Sequence, residues 1–224
     1  MHDDQKRQPF PDTVVKFRGD RTSAKTKDID AFRAYWQSMR KSGDVPWRSD
    51  IDPRGIEGLL ENAFIAENIA PGVTRLRIAG SHLSDLMGME VRGMPLSAFV
   101  DPGQRKDFAL QLVELFDRPA TLHLKLRSDG GIGRPVIESD LVLLPLRSDL
   151  GDISRALGCL VTKGNIGRAP RRFNIASTTL EPLDTGSPGL MAESMQGPGM
   201  AETGHRFEHR PANPSEKPYL RLVK

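Results

Sequence analysis

Arg168 and Arg172 stand four residues apart with Arg171 between them. Guanidiniums at that spacing suit phosphate, because each planar fork offers two parallel N–H donors. The companion half of such a motif, Asp/Asn-x-Ser-x-x-Gly, is missing: Asn174-Ile175-Ala176 fails at the serine. The segment therefore reads as a solvated basic linker. Gly131-Ile132-Gly133 opens like a dinucleotide-binding loop but continues Arg134-Pro135-Val136 into a strand. With no helix N-terminus to hold a pyrophosphate, it is a hairpin turn. Asp50 and Asp52 have the types of an acid/base pair, but Asp52-Pro53 is the pattern of a helix cap and Asp50 that of a turn. His205 and His209 have an i, i+4 spacing that suits zinc on a helix, yet Gly204 and Pro211 bracket them. His82 falls on a short helix, and His123 on the outward face of a strand beside Lys125, so neither is assigned an iron or metal. The lone cysteine, Cys159, alternates with Leu157 and Val161 and reads as a buried small hydrophobe. No P-loop, HExxH, CxxC, GxSxG or EF-hand pattern occurs, and no catalytic role is expected.

The elements that must carry these residues occupy part of the 224-residue chain. Gly and Pro crowd toward the C-terminal end. The formal charge of +3 sits in the ends: residues 1–27 hold 7 basic and 4 acidic groups, and 28–163 hold 17 and 19. A slightly acidic middle lacks the concentrated basic face of a nucleic-acid binder, so no nucleic-acid partner is expected. One cysteine permits no intrachain disulfide. The start has no apolar signal region, and no apolar run approaches the roughly 20 residues of a membrane helix. A cytoplasmic protein without a membrane span is the expectation.

Four segments follow: a flexible 1–27 with one short strand near 13–17, a domain over 28–163, a basic linker or extension over 164–181, and a Pro/Gly-rich disordered tail over 182–224. In the domain, Ile29, Phe32, Trp36 and Met39 recur at spacings of 3, 4 and 3, predicting a helix over 28–41 capped by Asp28. A second helix starts at Asp52-Pro53. Strands over 63–69 and 73–79 flank a Pro71-Gly72 turn. A short helix covers 81–87, and Asp101-Pro102 opens a longer one to about 117. Three strands over 121–127, 136–146 and 156–163 complete the order. Both strand groups form antiparallel hairpins, so the class is α+β, with a single five-stranded sheet and crossover helices on one face.

Two strands, a helical crossover, then three strands resembles a PAS domain. Several strings narrow the resemblance: Asp50-Ile51-Asp52-Pro53, Phe64-Ile65-Ala66-Glu67, Arg75-Leu76-Arg77-Ile78-Ala79-Gly80-Ser81 and Leu86-Met87-Gly88-Met89-Glu90…Gly93. Together they are similar to a bacterial family of single-domain PAS-like proteins with an aromatic N-terminal helix, a DIDP turn and an RLAGT-like strand end, here with Ser81 for the usual Thr. The resemblance implies a signalling or scaffold module with an N-terminal helical extension. Flavin-type photosensory members place their cysteine on the central helix. Cys159 is on the last strand, so neither a flavin nor a haem pattern is present and the cofactor stays unassigned.

Two functions remain open on the sequence. One is a sensor holding a small apolar ligand between sheet and crossover helices, lined by Phe64, Ile78, Leu83, Leu86, Leu124, Leu143 and Cys159; the same side chains can equally fill a small core. The other is a ligand-free dimeric scaffold or adaptor, with Phe32, Tyr35, Trp36 and Met39 as the interface of a homodimer. Packing of that helix on its own sheet fits the pattern as well. No output domain follows the PAS-like region, so any signal is expected to pass to a separate regulatory protein. The tail segments Pro211–Pro214 and Tyr219–Lys224 are candidate short docking segments for such a partner, but a solvated tail is the favoured reading.

Overall fold

The computed structural model describes residues 21–184. The strand expected at 13–17, His205, His209 and most of the tail lie outside the described residues. Among them the first helix, α1, spans Arg21–Met39, so Asp28 lies inside it rather than capping it. Strands β1 (Ala63–Ala70) and β2 (Val73–Ala79) form the first hairpin. Helices α2 (Ser81–Met87) and α3 (Arg105–Asp117) make the crossover. Then come β3 (Ala120–Ser128), β4 (Ile137–Arg147), β5 (Ile153–Lys163) and β6 (Asn174–Pro182).

The strands form one antiparallel sheet of order β2-β1-β5-β4-β3-β6. The sheet therefore has six strands, not five. β6 escaped the sequence reading because it is an edge strand whose middle, Ser177-Thr178-Thr179, is exposed on both faces. Only Ile175 and Leu180 reach the core, which is too few for an apolar alternation. The helix expected after Asp52 is a 3₁₀ segment, Pro53–Leu59, and Asp52 caps it by accepting from the Arg54 N–H at 3.0 Å.

Both faces of the sheet are covered, which explains the unbroken apolar run Leu141–Leu146 in β4. Leu141 and Leu143 face α2 and α3, while Val142, Leu144 and Leu146 face α1. The Trp36 indole N–H donates to the Pro145 carbonyl at 3.0 Å, fixing α1 across the sheet centre. Tyr35 ties the same helix to the 3₁₀ segment: its hydroxyl donates to the Asp52 carbonyl and accepts from the Asp52 N–H, both at 2.8 Å.

Candidate functional site

The space between the sheet and the crossover helices is where the sequence placed a ligand. Phe64, Leu83, Leu86, Leu124 and Leu143 do meet there, each at most 1% exposed. Cys159 and Ile78 do not. Cys159 faces α1 among Phe32, Trp36 and Val142, because alternate residues of a doubly covered strand are apolar on both faces and parity alone does not say which is which. Ile78 is 54% exposed. In the β1–β2 register Ile65 pairs with Ile78 but Ala66 pairs with Leu76, so Arg77 is an extra residue and the alternation inverts after it.

The meeting point is filled. Phe64 is opposite Gly158 on β5 and its ring lies against that glycine. A Cβ built on Gly158 would lie 2.7 Å from Phe64 Cε1 and closer still to Cζ and Cε2. A glycine in a central strand contributes no packing of its own; here it makes the seat for the phenyl ring.

The expected interface is also used inside the domain. Phe32 is fully buried and Trp36 is 2% exposed, while Tyr35 and Met39 pack partly buried around them. Their stripe therefore belongs to the domain core. A homodimer contact would need a surface other than Phe32 and Trp36.

The titratable residues singled out by type are mostly structural. Asp50 accepts from the Trp47 N–H at 3.0 Å, and Asp52 is the cap already described. His82 Nε2 lies 3.1 Å from Thr162 Oγ1. His123 is not a solvated group: its Nε2 is 3.0 Å from Asp140 Oδ1, and Lys163 Nζ is 3.6 Å from the other carboxylate oxygen. The hydrogen bond from His123 and the Lys163 charge hold the Asp140 carboxyl below the usual carboxylate range, against a smaller opposing effect of burial. Burial, helped by the Asp28 charge, pushes the Cys159 thiol up to about 12, which leaves it as the thiol and unreactive at neutral pH. Among the described residues no three His, Cys, Asp or Glu side chains gather as a metal cluster.

Two surface features were not expected. An open apolar notch of about 190 Å³ lies between the 3₁₀ segment and the β1–β2 hairpin, lined by Ile51, Ile56, Leu60, Ile65 and Ile78. A larger polar cleft of about 820 Å³ lies between the β3–β4 hairpin and the segment 168–174. Here the solvated-linker reading fails. Arg171 is 1% exposed and Phe173 is fully buried. Arg171 donates to the Ile166 and Pro135 carbonyls, both at 2.6 Å, and to Ser128 Oγ at 3.0 Å. Its N–H also donates to the Leu86 carbonyl at 2.7 Å. A charged residue in a Pro/Gly-flanked segment reads as surface, and only the three-dimensional supply of carbonyl acceptors makes it a core residue.

The PAS domain family profile matches residues 24–161, more than half of the chain. The chain belongs to the PAS domain family. That membership indicates a sensory or regulatory role. No curated protein matches the chain. Solved structures similar to it include the light state of the blue-light photoreceptor Aureochrome1 LOV, 14% identical, with 50% of this chain and 88% of that chain covered and a TM-score of 0.35. An RNA-binding Light-Oxygen-Voltage receptor is 19% identical at the same TM-score, with 55% of this chain covered. The match spans only 35% of that receptor's length. Among the described residues no helix is long and apolar enough to cross a membrane.

Proposed function

We propose that this PAS domain protein is a non-enzymatic regulatory module whose output runs through contact with a separate protein, without a cofactor between sheet and crossover helices. One observation carries this reading. The Phe64 ring, seated on Gly158 and packed with Leu83, Leu86, Leu124 and Leu143, fills the volume where an internal ligand would sit. Core side chains at native density leave no room for a flavin or haem without wholesale repacking. A ligand-gated sensor is then the weaker of the two functions open on the sequence, and a scaffold or adaptor the stronger. The test is reciprocal capture. A protein that co-purifies with the tagged chain, and whose own tagged form recovers this chain in matching amount, supports the proposal. Recovery of the tagged chain alone, or of a partner whose own tagged form does not recover this chain, contradicts it.

A second reading, a small apolar ligand, is favoured by the notch lined by Ile56, Leu60, Ile65 and Ile78. Leu60 and Ile78 are 41% and 54% exposed there, more than a filled core would leave. Mass spectrometry of the native chain separates the two.

A further inference from the structure

The β3–β4 hairpin and the segment after β5 bring four arginines to one cleft: Arg134, Arg168, Arg171 and Arg172. Their placement is backbone-fixed. Gly131 and Arg134 exchange N–H···O bonds of 2.7 and 2.9 Å across the hairpin turn, and the Arg168 N–H donates to the Gly133 carbonyl at 2.8 Å. Gly167 makes this approach feasible, because a Cβ there would come within 2.6 Å of the Gly133 carbonyl oxygen. Arg134 and Arg168 are thereby held on adjoining strands of chain, with Arg172 following the anchored Arg171.

The charge in this cleft is not balanced. Arg171 is buried on neutral acceptors alone, three carbonyls and a hydroxyl among them. Burial, and then the charge of Arg134, lowers its guanidinium pKa, as expected where cations crowd without an anion. Among the described residues Arg134, Arg168 and Arg172 are exposed, and the ion pairs within 4.0 Å include none of them. Two aspartates also line the cleft, and both are engaged. Asp101 accepts from the Gly103 N–H at 2.9 Å. Asp129 accepts from Asn174 at 3.1 Å and stands 4.0 Å from Arg127.

We propose that this cleft binds a phosphate-bearing ligand, with Arg134, Arg168 and Arg172 as its contacts and Arg171 as the buried strut that positions them. Three unpaired guanidinium forks exceed what one carboxylate can accept, whereas a phosphomonoester or diphosphate offers enough oxygens for all three. The cleft is large enough for a nucleotide-sized anion. A lipid headgroup presents the same chemistry, and Ile132, 98% exposed at the hairpin tip, is an apolar group that would enter the acyl boundary in that case.

The test uses the full chain and two probes. Inorganic pyrophosphate is titrated by calorimetry, and flotation compares phosphatidylcholine vesicles with and without phosphatidic acid. Arg134→Gln, Arg168→Gln and Arg172→Gln are exposed changes that leave the Arg171 hydrogen bonds in place, and each should weaken binding about tenfold. Arg92→Gln, an exposed arginine elsewhere, should change nothing. Saturable pyrophosphate binding without vesicle preference assigns a free phosphate ligand. Binding to phosphatidic acid vesicles that Ile132→Ser also weakens assigns a headgroup. The proposal is overturned if the wild-type chain binds neither probe, or if Arg92→Gln costs as much as the cleft substitutions.

Discussion

Gly158→Ala is the smallest change that asks whether the interior is full. The added methyl would stand within 2.7 Å of Phe64 Cε1 and nearer to two other ring carbons. Phe64 is 1% exposed and packed in the core, although the residue also borders the notch beside Ile65 and Ile78. Overpacking of this kind costs about 1–3 kcal/mol. Replacing a strand glycine by alanine returns roughly 0.5–1 kcal/mol through reduced backbone freedom in the unfolded chain. The net expectation is a loss of about 1–2 kcal/mol, which at a urea m-value near 2 kcal/mol/M lowers the midpoint by roughly 0.5–1 M. The assay is urea unfolding followed by tryptophan fluorescence, as a double-mutant cycle with Phe64→Leu. Shortening the ring first should reduce the cost of Gly158→Ala to about 0.5 kcal/mol or less, giving a coupling of about 1 kcal/mol. If Gly158→Ala costs no more beside Phe64 than beside the shorter side chain, the ring has somewhere to go. The interior is then not filled, and an internal ligand has room between sheet and crossover helices.

Three further outcomes follow from the same packing. Trp36→Ala should cost about 3–5 kcal/mol in urea unfolding, and Trp36→Phe about 1 kcal/mol through the lost bond to the Pro145 carbonyl; lost self-association at unchanged stability would instead make α1 an interface. Cys159 should resist thiol reagents at pH 8 in the folded chain and react fully in denaturant, so rapid native labelling would contradict its burial. Asp140→Asn should destabilise by roughly 1–2 kcal/mol at pH 7. Because the folded carboxyl is held below its unfolded value of about 3.9, this stabilisation is present above pH ~4 and is lost as pH falls through the folded pKa. A gap between wild type and Asp140→Asn that stays constant down to pH 3 would remove the His123–Asp140–Lys163 group from the account.

The fold was legible where one periodicity governs a segment. The spacing of Ile29, Phe32, Trp36 and Met39 placed α1, and Asp52-Pro53 and Asp101-Pro102 marked two capped starts. What remained hidden depends on neighbours. The bulge at Arg77 inverts the face of Ile78, and no local pattern announces it. Cys159 lies on a strand covered on both sides, where its alternation is visible but its facing partner is not. β6 is polar because it is an edge. Arg171 is buried because the Ile166 carbonyl of its own segment and the Asp129 and Pro135 carbonyls of the β3–β4 connection converge on it. The aromatic stripe of α1 is visible in the sequence as a stripe, but whether it meets its own sheet or another chain is a tertiary fact, decided here by the Trp36 bond to Pro145.

Whether the interior holds only its own side chains is read from native and denaturing mass spectra of the purified full chain, beside those of the variant carrying Arg134→Gln, Arg168→Gln and Arg172→Gln. The variant should have the same mass per chain in both conditions, because its interior is filled by its own side chains. Extra mass that the variant retains in the native spectrum and loses on denaturation would show a ligand away from the arginine cleft and an interior that is not filled.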